Sequence, residues 1–189
     1  MVVVDRPAGP PRSLLVLGHG AGGDVTAPDL VAVRDAVLAR DVLVARVTQP
    51  YRVAGRRAPA PANHLDEAFG AVVADLLGRW APMPLLVGGR SSGARVACRT
   101  ARAVGAVGVL ALAFPLHPPG RPDRSRDGEL DTGLPTLVVN GAADAFGVPP
   151  ARPGVRVMVR PGERHDLRRD PVGTAAVVVE WLRGHGWAA

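Results

Sequence analysis

Short runs rich in valine and leucine alternate with longer segments of helical spacing along this chain of 189 residues. The short runs show little alternation of polar and apolar residues, as is typical of strands buried on both faces of a sheet. The predicted strands are residues 14–17, 42–47, 85–87, 107–113, 136–139 and 155–159, with residues 2–4 as an additional edge strand. The predicted helices are residues 27–40, 63–80, 93–104 and 171–183. This order predicts an α/β fold with a mostly parallel sheet of about six or seven strands and helices on both faces.

The length of the chain suits one domain, residues 1–189, because a chain of this size buries about 70% of its unfolded surface. Two stretches rich in proline and glycine, residues 50–61 and 115–133, are too long for simple turns. Loops of this length often carry function, so we expect both stretches to shape the rim of a site. Residues 142–154, which contain three prolines, are predicted to be a loop.

The composition excludes several classes of protein. All 23 basic residues are arginine, which rules out P-loop, protein-kinase and pyridoxal Schiff-base chemistry, since each needs a lysine. The net charge is +6, but the arginines are scattered and aromatic residues make up only 4%, so nucleic-acid binding is not expected. The single cysteine, the absence of a secretion signal and the lack of an apolar run of about 20 residues predict a cytoplasmic protein without a membrane segment.

A glycine-rich loop, Gly-His-Gly-Ala-Gly-Gly at residues 18–23, follows the first core strand. It satisfies the dinucleotide-binding pattern, which also requires a carboxylate at the end of the next strand. That strand, residues 42–47, has no carboxylate at its end and contains Arg46, so only an NADP-dependent reductase remains as an alternative. The second interpretation is an oxyanion loop, in which the backbone N–H of Ala21 faces a developing negative charge and His19 borders the substrate.

Residues 88–93, Gly-Gly-Arg-Ser-Ser-Gly, place the pattern G-x-S-x-G directly after a buried strand and at the start of a predicted helix. This is the context of a nucleophile elbow, a strained turn that lifts a serine clear of the sheet. Ser91 has glycine at both second neighbours, whereas Ser92 has Arg90 two positions before it. The pattern therefore predicts Ser91 as the nucleophile, with the Ser92 N–H as the second oxyanion donor.

A serine nucleophile needs a base and an acid, which in this kind of sheet follow it in the order carboxylate, histidine. Asp144 follows the strand at 136–139, and His165 follows the strand at 155–159. We predict that His165 takes the serine proton and that Asp144 fixes the tautomer of His165. Asp166 and His185 are weaker alternatives for the same roles.

Five histidines and one cysteine, without an H-x-x-x-H pattern, form no recognisable ligand cluster, so neither a metal nor another cofactor is predicted. His117 lies beyond a predicted strand end, where it borders the site or serves only as a structural residue. Arginines near the predicted rim suggest an anionic substrate or a solvated basic face. These arginines are Arg52, Arg56, Arg57, Arg90 and Arg121.

Several sequence blocks together resemble the compact α/β-hydrolase proteins of the dienelactone-hydrolase-like, KANL/Tex type. The blocks are residues 18–22, 49–52, 55–57, 88–91, 115–120, 140–147 and His165, and they span nearly the whole chain. The resemblance implies an α/β-hydrolase sheet without a cap domain and triad roles for Ser91, Asp144 and His165. It also places Tyr51, within the second block, among the candidate substrate contacts.

These observations predict a serine hydrolase that cleaves a carboxylic ester or related acyl bond through an acyl-serine intermediate. The expected partner is a small ester or acyl substrate, because an open site without a lid favours small soluble molecules. The alternatives are a non-catalytic binding module on the same scaffold and the NADP-dependent reductase. Neither the substrate nor the oligomeric state follows from the sequence.

Overall fold

A computed structural model describes residues 1–80 and 82–189. Seven strands are present: β1 (Val2–Asp5), β2 (Ser13–Gly18), β3 (Val42–Val47), β4 (Leu85–Arg90), β5 (Gly108–Leu112), β6 (Thr136–Gly141) and β7 (Val155–Arg160). The helices are α1 (Pro28–Leu38), α2 (Pro50–Val53), α3 (Ala62–Arg79), α4 (Ser92–Thr100) and α5 (Pro171–Gly184). A 3-10 turn covers Asp127–Leu130.

The strands form one seven-stranded sheet in the order β1-β3-β2-β4-β5-β6-β7. All neighbours are parallel except β1, which pairs antiparallel with β3 at the edge. The carboxyl ends of the six parallel strands therefore meet at one edge of the sheet, where loops can bring distant side chains together. This architecture is the mostly parallel seven-stranded α/β sheet that the sequence predicted, with the strand order that the hydrolase resemblance implies.

Both faces of the sheet are covered by helices, which explains the nearly continuous apolar strands. Helices α3 and α4 cover one face, and α1 and α5 cover the other. Within β2, Leu14 and Val16 pack under the first pair of helices, while Leu15 and Leu17 pack under the second. All four side chains are fully buried, and each contributes about 1.5–3 kcal/mol to folding.

The boundaries differ from the predictions in ways that affect the site. Strand β4 runs on to Arg90 rather than ending at residue 87, and β6 runs on to Gly141, so the loops that follow begin closer to the site than predicted. The predicted rim at residues 50–61 contains the short helix α2, which starts at Pro50 because the fixed φ of proline suits a first helical turn. Helix α4 ends at Thr100, not at residue 104. No helix within residues 1–80 and 82–189 is long and apolar enough to cross a membrane.

Candidate active site

Ser91 occupies the sharp turn between β4 and α4. Its backbone has φ 52° and ψ −109°, a conformation that residues other than glycine rarely adopt. The Ser91 N–H donates a hydrogen bond to the carbonyl of Leu112, at the end of the neighbouring strand β5, over 2.9 Å. The sheet thus holds the strained serine above its carboxyl edge, which is the geometry of a nucleophile elbow.

Two glycines of the elbow allow β2 and α4 to approach each other closely. A Cβ atom on Gly89 would lie 2.4 Å from the carbonyl oxygen of Gly18, and one on Gly93 would lie 2.2 Å from the same oxygen. Both distances are far below van der Waals contact, so only glycine fits at these positions. This approach places the loop after β2 beside Ser91.

His165 and Asp144 complete a chain of hydrogen bonds with Ser91. The Nε2 atom of His165 lies 2.9 Å from Ser91 Oγ, and its Nδ1 atom lies 2.9 Å from Asp144 Oδ2 and 3.0 Å from Oδ1. An ionised carboxylate only accepts hydrogen bonds, so Nδ1 carries the imidazole proton and Nε2 is free to accept the Ser91 hydroxyl proton. The structure brings together the three residues that the sequence singled out.

The Asp144 carboxylate is held in place by neighbours whose role the sequence did not reveal. Its Oδ1 accepts a hydrogen bond from the Phe146 N–H at 2.8 Å, and its Oδ2 lies 3.2 Å from Asn140 Nδ2. Asn140 is fully buried at the end of β6 and exchanges hydrogen bonds of 2.9 and 3.0 Å with the backbone of Phe114. Asn140 therefore fastens the loop at residues 142–147, which carries Asp144 and is called the acid loop below, to the end of β5.

Phe146 also packs against the histidine. Its ring stacks on the imidazole of His165 with 4.1 Å between ring centroids. The stacking limits rotation of His165 and shields one face of the imidazole from water. The sequence offered no signal for this contact, because it depends on how the 142–147 loop folds back.

The two predicted oxyanion donors border the serine. Ala21 and Ser92 line the same cavity of about 460 Å³ as Ser91 and His165. Ser92 is the first residue of α4, where backbone N–H groups have no partner within the helix. Gly20 lies so close to the serine that a Cβ atom on it would be 3.3 Å from Ser91 Cβ.

His19 was predicted to border the substrate, and the structure corrects this prediction. Its side chain is fully buried. The Gln49 N–H donates to His19 Nε2 at 3.0 Å, and His19 Nδ1 lies 2.8 Å from the Gly20 carbonyl oxygen. Burial lowers the pKa of His19, so the neutral imidazole links the glycine loop to the end of β3.

Tyr51 and His117 lie outside the cavity around Ser91, so the structure does not support them as substrate contacts. Tyr51 is 4% exposed, and its ring packs edge to face against His19. Burial raises the pKa of Tyr51. His117 packs beside Gly147, and its backbone N–H donates to the Phe146 carbonyl at 3.0 Å, which supports the acid loop from outside.

Arg90 lines the cavity, but its guanidinium is mostly occupied by protein groups. Its side chain is 14% exposed, and its Nε lies 3.1 Å from Oδ2 of the fully buried Asp29. Its Nη2 donates to the carbonyl of His165 at 3.2 Å. Burial raises the pKa of Asp29 to about 6, and the charge of Arg90 opposes this shift. Arg90 therefore connects the loop that carries His165 to helix α1.

The geometry removes the basis of the reductase alternative. Arg46, the residue that would have to hold an NADP phosphate, is buried and donates to the Val25 carbonyl at 2.7 Å. Its Nη2 also pairs with Asp5 at 3.1 Å.

Within the part of the chain that the structure describes, no group of three or more His, Cys, Asp or Glu side chains is arranged to hold a metal.

Solved structures share this architecture over nearly the whole chain. The protein XC6422 of Xanthomonas campestris, an α/β serine hydrolase without a lid, aligns with a TM-score of 0.80 at 18% identity, covering 97% of this chain and 88% of that chain. Est1E of Butyrivibrio proteoclasticus, solved with ferulic acid bound, gives 0.77 at 16% identity, covering 97% and 94%. Dienelactone hydrolase of Anabaena variabilis gives 0.74 at 17% identity, covering 97% and 90%.

A search of curated proteins found no match. A family model, described as an alpha/beta hydrolase domain, matches residues 11–158. This range covers well over half of the chain and includes the elbow serine and the acid loop, though not His165. The chain therefore belongs to the α/β-hydrolase family.

Proposed function

We propose that this protein is a serine hydrolase that cleaves a carboxylic ester of a small molecule through an acyl-Ser91 intermediate. The observation that carries the proposal is the unbroken chain of hydrogen bonds from Ser91 through His165 to Asp144. A serine held at positive φ and hydrogen-bonded to a histidine that is itself paired with a buried carboxylate is costly to maintain for structural purposes alone. It is the arrangement that activates a serine nucleophile.

The reaction begins when Ser91 Oγ attacks the acyl carbonyl carbon while His165 Nε2 accepts the hydroxyl proton. Asp144 stabilises the imidazolium that forms. The N–H groups of Ala21 and Ser92 receive the negative charge of the tetrahedral oxygen. His165 then gives its proton to the leaving alkoxide, and the alcohol departs from the acyl enzyme.

Water completes the turnover by the same route. His165 removes a proton from the water as its oxygen attacks the acyl carbon, and then returns a proton to Ser91 Oγ as the acid leaves. The net change is the addition of one water across the ester bond, with no oxidation or reduction. The chain's own residues supply every group that this cycle requires.

Small, soluble esters are the substrates we expect. The cavity of about 460 Å³ lies in an open edge of the sheet, and the similar structures include a serine hydrolase without a lid and Est1E with ferulic acid bound. A strong preference for long-chain lipid esters would contradict this part of the proposal. We also retain the cytoplasm as the proposed location, since the one cysteine, Cys98, is a buried free thiol.

A fluorophosphonate probe tests the mechanism without a guessed substrate, because labelling requires an activated serine. Intact-mass measurement should show one probe on the wild-type protein and none on Ser91→Ala or His165→Ala. Ser92→Ala is the matched control, because it removes a neighbouring hydroxyl and keeps the backbone N–H, so it should still be labelled.

The competing function is a binding module that uses the same scaffold without catalysis. A folded wild-type protein that resists the probe, with thermal unfolding equal to that of the variants, would favour this alternative. Labelling that persists in Ser91→Ala would show that another side chain is the nucleophile.

A further inference from the structure

Basic side chains line the cavity around Ser91. Four arginines line it: Arg90, Arg95, Arg99 and Arg126. Among its described lining residues there is no aspartate or glutamate. A cavity wall of this kind attracts anions and raises their local concentration.

Carboxylates outside the cavity neutralise three of the four guanidinium groups. Arg90 is paired with buried Asp29, as described above. Glu129 accepts two hydrogen bonds from Arg95, at 2.8 and 2.5 Å.

Asp66, on helix α3, accepts two hydrogen bonds from Arg99 over 2.8 and 2.6 Å. Arg99 also lies 3.4 Å from Glu129. Arg95 and Arg99 on α4 therefore share two carboxylates, and neither is left with excess charge.

The fourth arginine, Arg126, differs from the other three in its contacts. Its Nη1 donates to the carbonyl oxygen of Pro115 at 3.2 Å, and within residues 1–80 and 82–189 it forms no ion pair. Burial lowers the pKa of Arg126, and the neighbouring charge of Arg95 lowers it further, although Glu129 acts in the opposite direction. Among the described arginines that line the cavity, Arg126 is therefore the one whose guanidinium has no ion-pair partner and can bind an anionic ligand.

We propose that the substrate is an ester that carries a second, anionic group, and that Arg126 binds this group while the ester bond lies at Ser91. The proposal rests on the serine-hydrolase function and specifies its substrate class. A carboxylate or a phosphate matches a guanidinium, because both accept two parallel hydrogen bonds. A small ester with one anionic group fits a cavity of about 460 Å³.

Matched ester pairs test the proposal by kcat/KM. One pair carries the charge on the alcohol side: 3-acetoxybenzoate and its neutral analogue 3-acetoxybenzamide, with 3-acetoxyphenyl phosphate as the phosphate member. The other carries it on the acyl side: monomethyl glutarate and dimethyl glutarate. We expect the wild type to favour the anionic member of at least one pair by about tenfold or more, as befits a charge-assisted hydrogen bond.

Variants then assign the preference to one side chain. Arg126→Gln should abolish the preference by lowering kcat/KM for the anionic member to that for the neutral member, whereas Arg126→Lys should restore part of the preference. Arg121→Gln is the matched control, since Arg121 is half exposed on the same loop, pairs with Asp123 and lies outside the cavity. The proposal is overturned if neither pair shows a preference, or if Arg126→Gln retains it.

A binding measurement separates this proposal from the proposed function. Ser91→Ala cannot turn over an ester, so calorimetric titration with the same pairs reports binding alone. Tighter binding of the anionic member, lost in Ser91→Ala with Arg126→Gln, supports the anion site even if the wild type proves inactive. Equal binding of both members, together with fluorophosphonate labelling of the wild type, would refute the anion site and leave the hydrolase intact.

Discussion

Replacing Gly93 with alanine tests the close approach on which the elbow depends. The added Cβ atom would lie 2.2 Å from the Gly18 carbonyl oxygen and 2.4 Å from its carbon. Ordinary contact begins at 3.4 Å, so the backbone of β2 or of α4 must move by about 1.2 Å. Neither can yield by rotating a side chain, because both contacting atoms belong to the backbone.

This displacement of the backbone is expected to lower the free energy of unfolding. Overpacking of a tight interior typically destabilises a protein by about 1–3 kcal/mol, and each kcal/mol lowers Tm by about 2–4 °C in a chain of this size. The shift also moves the loop that carries Ala21 relative to Ser91. A misplacement of about 1 Å near reacting groups can lower the rate about a hundredfold.

Gly70→Ala is the matched control, because it makes the same chemical change inside helix α3. Nothing lies within 4 Å of a Cβ atom at that position. Alanine there should raise stability by about 0.5–1 kcal/mol, since it restricts the unfolded chain and suits a helix interior.

Thermal unfolding followed by circular dichroism measures the stability change in each variant. The rate of fluorophosphonate labelling measures the reactivity of Ser91. We expect Gly93→Ala and Gly70→Ala to shift Tm in opposite directions. An unchanged Tm and labelling rate in Gly93→Ala would refute the packing of β2 against α4 described above.

Three further predictions concern buried polar groups. Asn140→Ala should lower the free energy of unfolding by about 3 kcal/mol, because it leaves buried backbone groups without hydrogen-bond partners. It should also slow fluorophosphonate labelling about tenfold, because Asp144 loses a support. Urea unfolding and labelling rates check these two effects. Burial raises the pKa of Asp29 from 3.8 to about 6, so the folded protein holds this proton more tightly than the unfolded chain. The free energy of unfolding should therefore fall by about 3 kcal/mol in total as pH rises from about 3 to about 7, and Asp29→Asn, measured by urea unfolding, should lack this component. Burial raises the pKa of the Cys98 thiol to about 12, so a thiol-specific disulfide reagent should modify it only as fast as the protein unfolds, and rapid modification of the native protein would contradict the packing.

The features that rest on local patterns could be predicted from the sequence. Buried parallel strands leave uninterrupted runs of valine and leucine, so their number and order could be predicted. The nucleophile elbow could also be predicted, because a serine at positive φ beside a close strand needs glycines at fixed positions before and after it. Asp144 and His165 could be placed because each follows a strand, and parallel strands end at the same edge of the sheet.

Which side chains reach that edge could be learned from the folded structure alone. His19 belongs to the predicted oxyanion loop, yet its ring points into the protein and binds the end of β3. Asn140 and Phe146 support the acid and the histidine through contacts that depend on the fold of one loop. Such contacts join residues far apart in the chain, and no local periodicity records them.

The arginines show most clearly the difference between what the sequence predicts and what the folded structure reveals. Composition and the proline-rich stretches pointed to a basic rim, but of the arginines singled out only Arg90 lines the cavity, and it is paired with Asp29. Among the described residues that line the cavity, the arginine without an ion pair is Arg126, within a stretch whose path the sequence could not predict. Whether an arginine is neutralised depends on the carboxylates that folding brings beside it. Local patterns in the sequence therefore predicted which residues gather at Ser91, whereas the charge of the cavity could be read only from the folded protein.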